Sequence, residues 1–293
     1  MVSGISVEPG KLKFCDTCVL GRQCREPFSG TRVKAERPLK RIHSYVCGPI
    51  TPSAWDGSRY FISFIDDCTH FAVIFMMKKK SKVFEKFRVY EAMVTAATGH
   101  RVSKLTVDQG REYCSKDQAR FYAEKGIQIE PTVAYTPQQN GVSKRFNRTL
   151  IEKVRMMLIE SKTPKRMWNE AALTGVYIMN RSPTNAISEN KTPFEMWTKH
   201  KPDMMKLRVF GCKAYALVPA QQRKKLDSNS QLSVMVGYAP NEYRLWNMET
   251  QRLFVARDVK FDEDSFPYMS KTHVSPEPPL IVAAYDFVIR FQY

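Results

Sequence analysis

The chain has 293 residues, with 46 Lys and Arg against 29 Asp and Glu and a formal net charge of +17 at pH 7. That length can bury a real core as one large or two to three small domains, and the charge favours a polyanionic partner, nucleic acid first, through release of condensed counterions. No long apolar run marks a membrane span and no apolar leader marks a signal peptide, while seven scattered cysteines read as reduced thiols, so that cytosol or nucleus is expected.

Residues 1–36 are polar and carry Cys15 and Cys18 as a C-x-x-C pair, half of a zinc site. Arg41–Val46 reads as a short strand ending at Cys47-Gly48-Pro49. Arg59–Ile65 and Phe71–Met77 are rich in β-branched and aromatic residues, and Asp66-Asp67 separates them as the turn of a hairpin. The run KKKSK from Lys78 follows, a solvated face or a nuclear signal. Apolar residues at Val83, Phe84, Phe87, Tyr90, Met93 and Val94 have a helical period, and Gly99 ends that helix. A strand over Val102–Val107, a helix over Ser115–Lys125 and a short strand at Ile127–Ile129 come next. This β-β-β-α-β-α-β order is that of the ribonuclease H-like fold.

The segment Tyr135–Asn140 is a loop with Pro137 set to open a helix. From about Gln139 to Glu160 the helix places Val142, Phe146, Leu150, Val154 and Met157 on one face and Lys144, Arg148, Glu152 and Arg155 on the other. Pro164 breaks it. A helix over Arg166–Met179 and a short one at Pro193–Thr198 follow. From Leu207 the texture alternates as strands and turns through about Asp264, after which a Pro-rich and then apolar tail, residues 266–293, stays unassigned.

Three segments in order, HSYVCGP from His43, TVDQGREY from Thr106 and YTPQQNGVSKRFNRT from Tyr135, resemble the active-site segments of the integrase core of copia-type LTR retrotransposons. MWNEA from Met167, KTPFEMW from Lys191 and LRVFG from Leu207 extend the resemblance. So do Val236-Gly-Tyr238, Tyr243-Arg-Leu-Trp246 and Arg257-Asp-Val259 in a region similar to the SH3-like domain of the same polyproteins. The resemblance implies an α/β fold: a ribonuclease H-like integrase core with a mixed five-stranded sheet and flanking helices, followed by a small SH3-like β-barrel domain. The expected division is a truncated zinc-binding segment at 1–36, the core at 37–165, a helical connector at 166–206 and the SH3-like domain at 207–265. In the family a His pair upstream of the Cys pair completes the zinc site; no His precedes Cys15, so zinc at Cys15 and Cys18 is doubtful.

The family's metal-binding triad is Asp, Asp, Glu, with 35 residues between the last two. The matching positions here are Tyr45, Asp108 and Lys144, at that same spacing. The family's reaction uses two Mg²⁺ ions about 4 Å apart to activate a nucleophile and stabilise a leaving oxygen. Such ions need anionic oxygen ligands; Tyr45 offers a neutral phenol and Lys144 a cation with no acceptor. At about 4 Å an ammonium repels a divalent ion by several kcal/mol at intermediate dielectric. Asp66, Asp67 and Glu112 are the carboxylates that would have to substitute, and a Lys144–Asp108 ion pair would fill the emptied site. The nucleic-acid contacts expected are Lys78, Lys79, Lys80, Lys144, Arg145, Arg148 and Arg155, with Arg223–Lys225. Three readings follow: a DNA-binding integrase-like protein without transferase activity, an active enzyme with substitute ligands, and a non-catalytic interaction module. Homo-oligomers are plausible because the family acts in multimers.

Overall fold

A computed structural model of the chain describes residues 34–108, 110, 113, 115–131, 141–187 and 191–269, all within one compact unit that starts at Lys34. Cys15, Cys18, Gln109, Glu112 and the tail from 270 lie outside the described residues. The expected hairpin forms from β2 (Tyr60–Asp66) and β3 (Ala72–Met77), with β1 (Arg41–Cys47) antiparallel to β2. Strand β4 (Lys104–Val107) pairs parallel with β1, and β5 (Gln128–Pro131) parallel with β4. The sheet order is β3-β2-β1-β4-β5, a mixed five-stranded sheet.

Alternation along β2 sends neighbouring side chains to opposite faces. Ile62 and Phe64 join a cluster with Phe87 and Tyr90 of α1 (Val83–Thr98), where Phe64 stacks on Tyr90 at 4.4 Å between ring centroids. Gly99, at φ 68°, closes α1 in the left-handed conformation that glycine adopts without a Cβ clash. Helix α2 (Lys116–Lys125) starts with a capping box: Gln118 N donates to Ser115 Oγ at 3.3 Å, and Ser115 N donates to Gln118 Oε1 at 2.8 Å.

The opposite face of the sheet, Phe61, Ile65 and Ile74, packs on Leu150 and Val154 of α3 (Gly141–Ser161) and on Trp168, Ala171 and Ala172 of α4 (Trp168–Arg181). Gly175 makes the α3–α4 approach close, since a Cβ there would lie 2.8 Å from a Leu150 methyl. A short helix α5 (Pro193–Thr198) follows, opened by Pro193 and by Thr192 Oγ1, which accepts from Glu195 N at 3.1 Å.

A second, antiparallel sheet takes the order β10-β6-β7-β8-β9 from β6 (Lys213–Leu217), β7 (Ser230–Ala239), β8 (Glu242–Asn247), β9 (Arg252–Ala256) and β10 (Val259–Asp262). Val234, Val236 and Trp246 from this sheet join the same cluster as α3, α4 and the first sheet. Helix α4, within the expected connector, therefore packs against both sheets. Asn180 of α4 accepts from Ala72 N at 2.9 Å and donates to Ala72 O at 2.8 Å on the first sheet. On the second, Thr174 Oγ1 donates to Val236 O at 2.9 Å beside the register shift in β7. Arg244 grips Glu170 with two bonds of 2.9 Å.

Leu207–Cys212, expected as strand, turns instead. Arg208 N donates to Tyr238 Oη at 2.9 Å and Val209 N to Glu263 Oε2 at 2.8 Å, which takes these amides away from a ladder. Gly211, at φ 82°, passes so close to α3 that a Cβ would sit 2.2 Å from Ser161 Cβ.

Candidate functional site

Parallel pairing of β1 with β4 brings the C-terminal ends of both strands together. Tyr45 sits on β1 and Asp108 directly follows β4. Burial raises the pKa of Tyr45, and the nearby Asp108 carboxylate and then Cys47 raise it further. The phenol is accordingly protonated at neutral pH and presents an O–H. Two polar anchors fix these elements. Ser44 Oγ and Tyr113 Oη share a hydrogen bond at 2.8 Å, tying the segment after Asp108 to β1. Asn147 Nδ2 of α3 donates to Ser63 Oγ at 3.1 Å, and Ser63 Oγ donates to Tyr45 O at 3.3 Å. Neither anchor was singled out from the sequence, although Tyr113 and Asn147 both lie within the segments that carry the resemblance.

Helix α3 lies across this end of the sheet. Tyr45, Cys47, Lys144, Asn147, Arg148 and Arg155 line an open depression of about 370 Å³, together with Ile151 and Glu152. Burial raises the Cys47 thiol. Lys144 and Tyr45 thus meet in one pocket. The expected Lys144–Asp108 ion pair does not form: among the described residues no N–O approach within 4.0 Å joins them, and the Lys144 side chain stands exposed in solvent. The ion pair that does form on this face is Arg148–Glu152, at 3.1 Å between successive turns.

Of the substitute carboxylates, Asp66 and Asp67 are elsewhere, and Glu112 lies outside the described residues. Asp66 pairs with Ile42, whereas Tyr45 pairs with Ser63, so Asp66 lies three residues down the strand, about 10 Å from the pocket at ~3.4 Å per residue. Burial pushes the Asp66 pKa up, opposed by donors: Oδ2 accepts from Thr69 N and Thr69 Oγ1, each at 2.8 Å, and Oδ1 accepts from Leu39 N at 2.8 Å. Asp67 accepts from Ala35 N at 2.8 Å and meets His43 Nε2 at 2.9 Å. Both carboxylates fasten residues 35–39 to the hairpin turn. Among the described residues, no three His, Cys, Asp or Glu side chains gather as a metal-holding group. A phenol, a carboxylate and an ammonium do not fit a pair of hard divalent cations.

The basic residues fall in two sets. Lys144, Arg145, Arg148 and Arg155 are all exposed on α3, three of them lining the pocket. Lys78, Lys79 and Lys80 are exposed just past β3, at the same end of the sheet and two strands across from β1; Lys80 Nζ lies 5.9 Å from the Tyr60 ring centre. Arg223, Lys224 and Lys225 sit before β7 on the second sheet and are not part of this end.

A mixed sheet of this order with a helix packed over β1 and β2, joined to an antiparallel sheet, is consistent with an integrase core followed by an SH3-like domain. Family models agree: residues 38–137 match the integrase core domain, and residues 212–274 the retroviral polymerase SH3-like domain. The retrovirus-related Pol polyprotein from transposon TNT 1-94 of Nicotiana tabacum is 39% identical over 254 residues, 86% of this chain and 19% of that protein. The corresponding polyprotein from transposon RE1 of Arabidopsis thaliana is 31% identical over 88% of this chain and 18% of its own length. The chain thus carries the integrase core and SH3-like domains of retrovirus-related Pol polyproteins from plant transposons, and spans about a fifth of the length of these curated relatives. A chain of the simian T-cell lymphotropic virus intasome has the same fold, with a TM-score of 0.52 and 13% identity over 83% of this chain and 84% of that one.

Proposed function

We propose that this chain is an integrase-like protein that binds DNA and has lost polynucleotidyl transfer. The observation that carries the reading is Lys144: a cation lines the pocket that also holds Tyr45, at the position where the family places its third carboxylate. With Tyr45 protonated, Asp108 is the one anionic ligand left of the triad. Losing two ligands of a coupled metal pair is beyond what surrounding hydrogen bonds restore. Recruitment of Asp66 or Asp67 would require both to abandon buried hydrogen bonds about 10 Å away along the strand.

DNA binding is supported by the placement of the cations. Lys78, Lys79 and Lys80 and the α3 set occupy one end of the first sheet, a surface that backbone phosphates would follow without base readout. The intasome relative supports self-association as part of the same proposal. Residues 37–165 would form the core and 207–265 the SH3-like domain, with 166–206 as the layer between them. Mg²⁺ is not assigned to the pocket, and zinc is not assigned to Cys15 and Cys18.

The test is a pair of assays on the unchanged chain and on the double reversion Tyr45→Asp with Lys144→Glu. Binding to duplex DNA is measured by anisotropy across a salt series, and nicking is measured with Mg²⁺ or Mn²⁺. The proposal expects steeply salt-dependent binding and no nicking by the unchanged chain. Equal nicking by the two proteins would defeat it, and so would salt-independent or absent binding.

A further inference from the structure

We propose that the pocket between β1 and α3 is a metal-independent phosphate site, in which Lys144, Arg148 and Arg155 supply the positive charge that divalent ions supply elsewhere in the family. The inference rests on the DNA-binding reading and names the chemical group that this one pocket takes. Three cations line it against one lining carboxylate, Glu152, which already accepts from Arg148 Nε at 3.1 Å, with Asp108 near Tyr45 as the other anion beside it. Lys144 and Arg155 lie eleven residues apart, three turns or about 16 Å along α3, so that a phosphate at Lys144 and Arg148 leaves Arg155 to a neighbouring phosphate, and neither Lys144 nor Arg155 makes an ion pair among the described residues. Their donors therefore remain available to a ligand, and an ammonium and a guanidinium are donors only. Opposite them, Tyr45 lines the pocket, and its phenol hydroxyl is a further donor.

The pocket measures about 370 Å³ and opens to solvent, enough for one phosphodiester or a pyrophosphate entering from the side. Carboxylates at positions 45 and 144 would make the same cavity repel that group unless metal ions bridged the two. Lysine at 144 removes the need for the bridge. The sign of the divalent-ion effect is therefore reversed: ions added to the solution screen the phosphate and weaken binding here, whereas they would strengthen it in a carboxylate-lined pocket.

The probe is inorganic pyrophosphate, titrated calorimetrically into the full chain in EDTA, beside Lys144→Met and Lys144→Glu. Lys144 is exposed, so neither variant threatens folding; an unchanged thermal midpoint confirms this. Pyrophosphate should bind the unchanged chain without metal, about tenfold more weakly to Lys144→Met, and more weakly still to Lys144→Glu. In DNA binding, Lys144→Met should lower the slope of log affinity against log salt by about 1. Equal pyrophosphate affinity in all three proteins, or none in the unchanged chain, overturns the phosphate site whether or not DNA binds. DNA binding that is lost only when Lys78, Lys79 and Lys80 are replaced would overturn the pocket and leave the broader proposal standing. Absent DNA binding with intact pyrophosphate binding would do the reverse.

Discussion

Replacing Arg244 with Met should destabilise the protein severely, by about 3–5 kcal/mol, because it strands a buried charge. Arg244 reaches from β8 to α4 and holds both oxygens of Glu170: Nε to Oε2 and Nη2 to Oε1, each at 2.9 Å. The Glu170 side chain is 2% exposed and that of Arg244 10%. After Arg244→Met the carboxylate keeps one donor from another side chain, Trp55 Nε1 at 3.3 Å, too little to replace two charge-assisted bonds. Glu170→Gln should cost less, since a neutral amide still accepts from the guanidinium. The double variant Glu170→Leu with Arg244→Met should recover most of the loss, because an apolar pair needs no desolvation of ions. Urea unfolding followed by tryptophan fluorescence suits the measurement: Trp55 donates to Glu170 and sits edge-on to Trp246 at 5.4 Å, so the probe reports on this contact. A shift in midpoint at constant slope gives the energy. A loss under about 1 kcal/mol for Arg244→Met, or a double variant worse than both singles, would refute the reasoning.

Three further outcomes are expected. Gly211→Ala should cost at least ~1–3 kcal/mol in urea unfolding, since φ is 82° and the new Cβ would lie 2.2 Å from Ser161 Cβ; a neutral effect would show that α3 yields there. Burial alone would raise the Glu130 pKa, but Lys104 at 2.7 Å and Arg41 at 3.2 Å outweigh it and hold the carboxyl below its ordinary value. Its stabilisation is then complete above the unfolded value of about 4.3 and is lost as pH falls through the folded pKa. The melting-temperature gap between the unchanged chain and Glu130→Gln should accordingly narrow on acidification, and a gap that widens contradicts the assignment. Replacing Lys78, Lys79 and Lys80 together by Met should lower the salt slope of DNA binding by up to about 3, read by anisotropy; an unchanged slope removes these lysines from the interface.

The local pattern carried much of the fold. The β2–β3 hairpin, α1 with its Gly99 stop and α2 with its Ser115 cap follow from side-chain period and capping chemistry within a few residues. The triad positions were assigned from the resemblance and its spacing, and the stretch between Asp108 and Lys144 holds α2, β5 and the start of α3. Long-range partners were not legible. Glu170 and Arg244 stand in two of the motifs that carry the resemblance, yet nothing local says that they meet 74 residues apart. The same holds for Asn180 with Ala72, so nothing local in the expected connector 166–206 showed that its helix α4 packs against both sheets. Leu207–Cys212 alternates like a strand, and tertiary acceptors on Tyr238 and Glu263 turn it away. The Lys144–Asp108 pair was argued from charge alone; the Lys144 side chain stands exposed at the start of α3 instead.

The central claim is that this pocket cannot seat paired divalent ions. Calorimetric titration of Mn²⁺ into the unchanged chain, beside the Tyr45→Asp, Lys144→Glu double variant, tests it directly. The account predicts no saturable binding that depends on Asp108 in the unchanged chain and measurable binding in the double variant. Saturable uptake of two ions by the unchanged chain, abolished by Asp108→Asn, would contradict it.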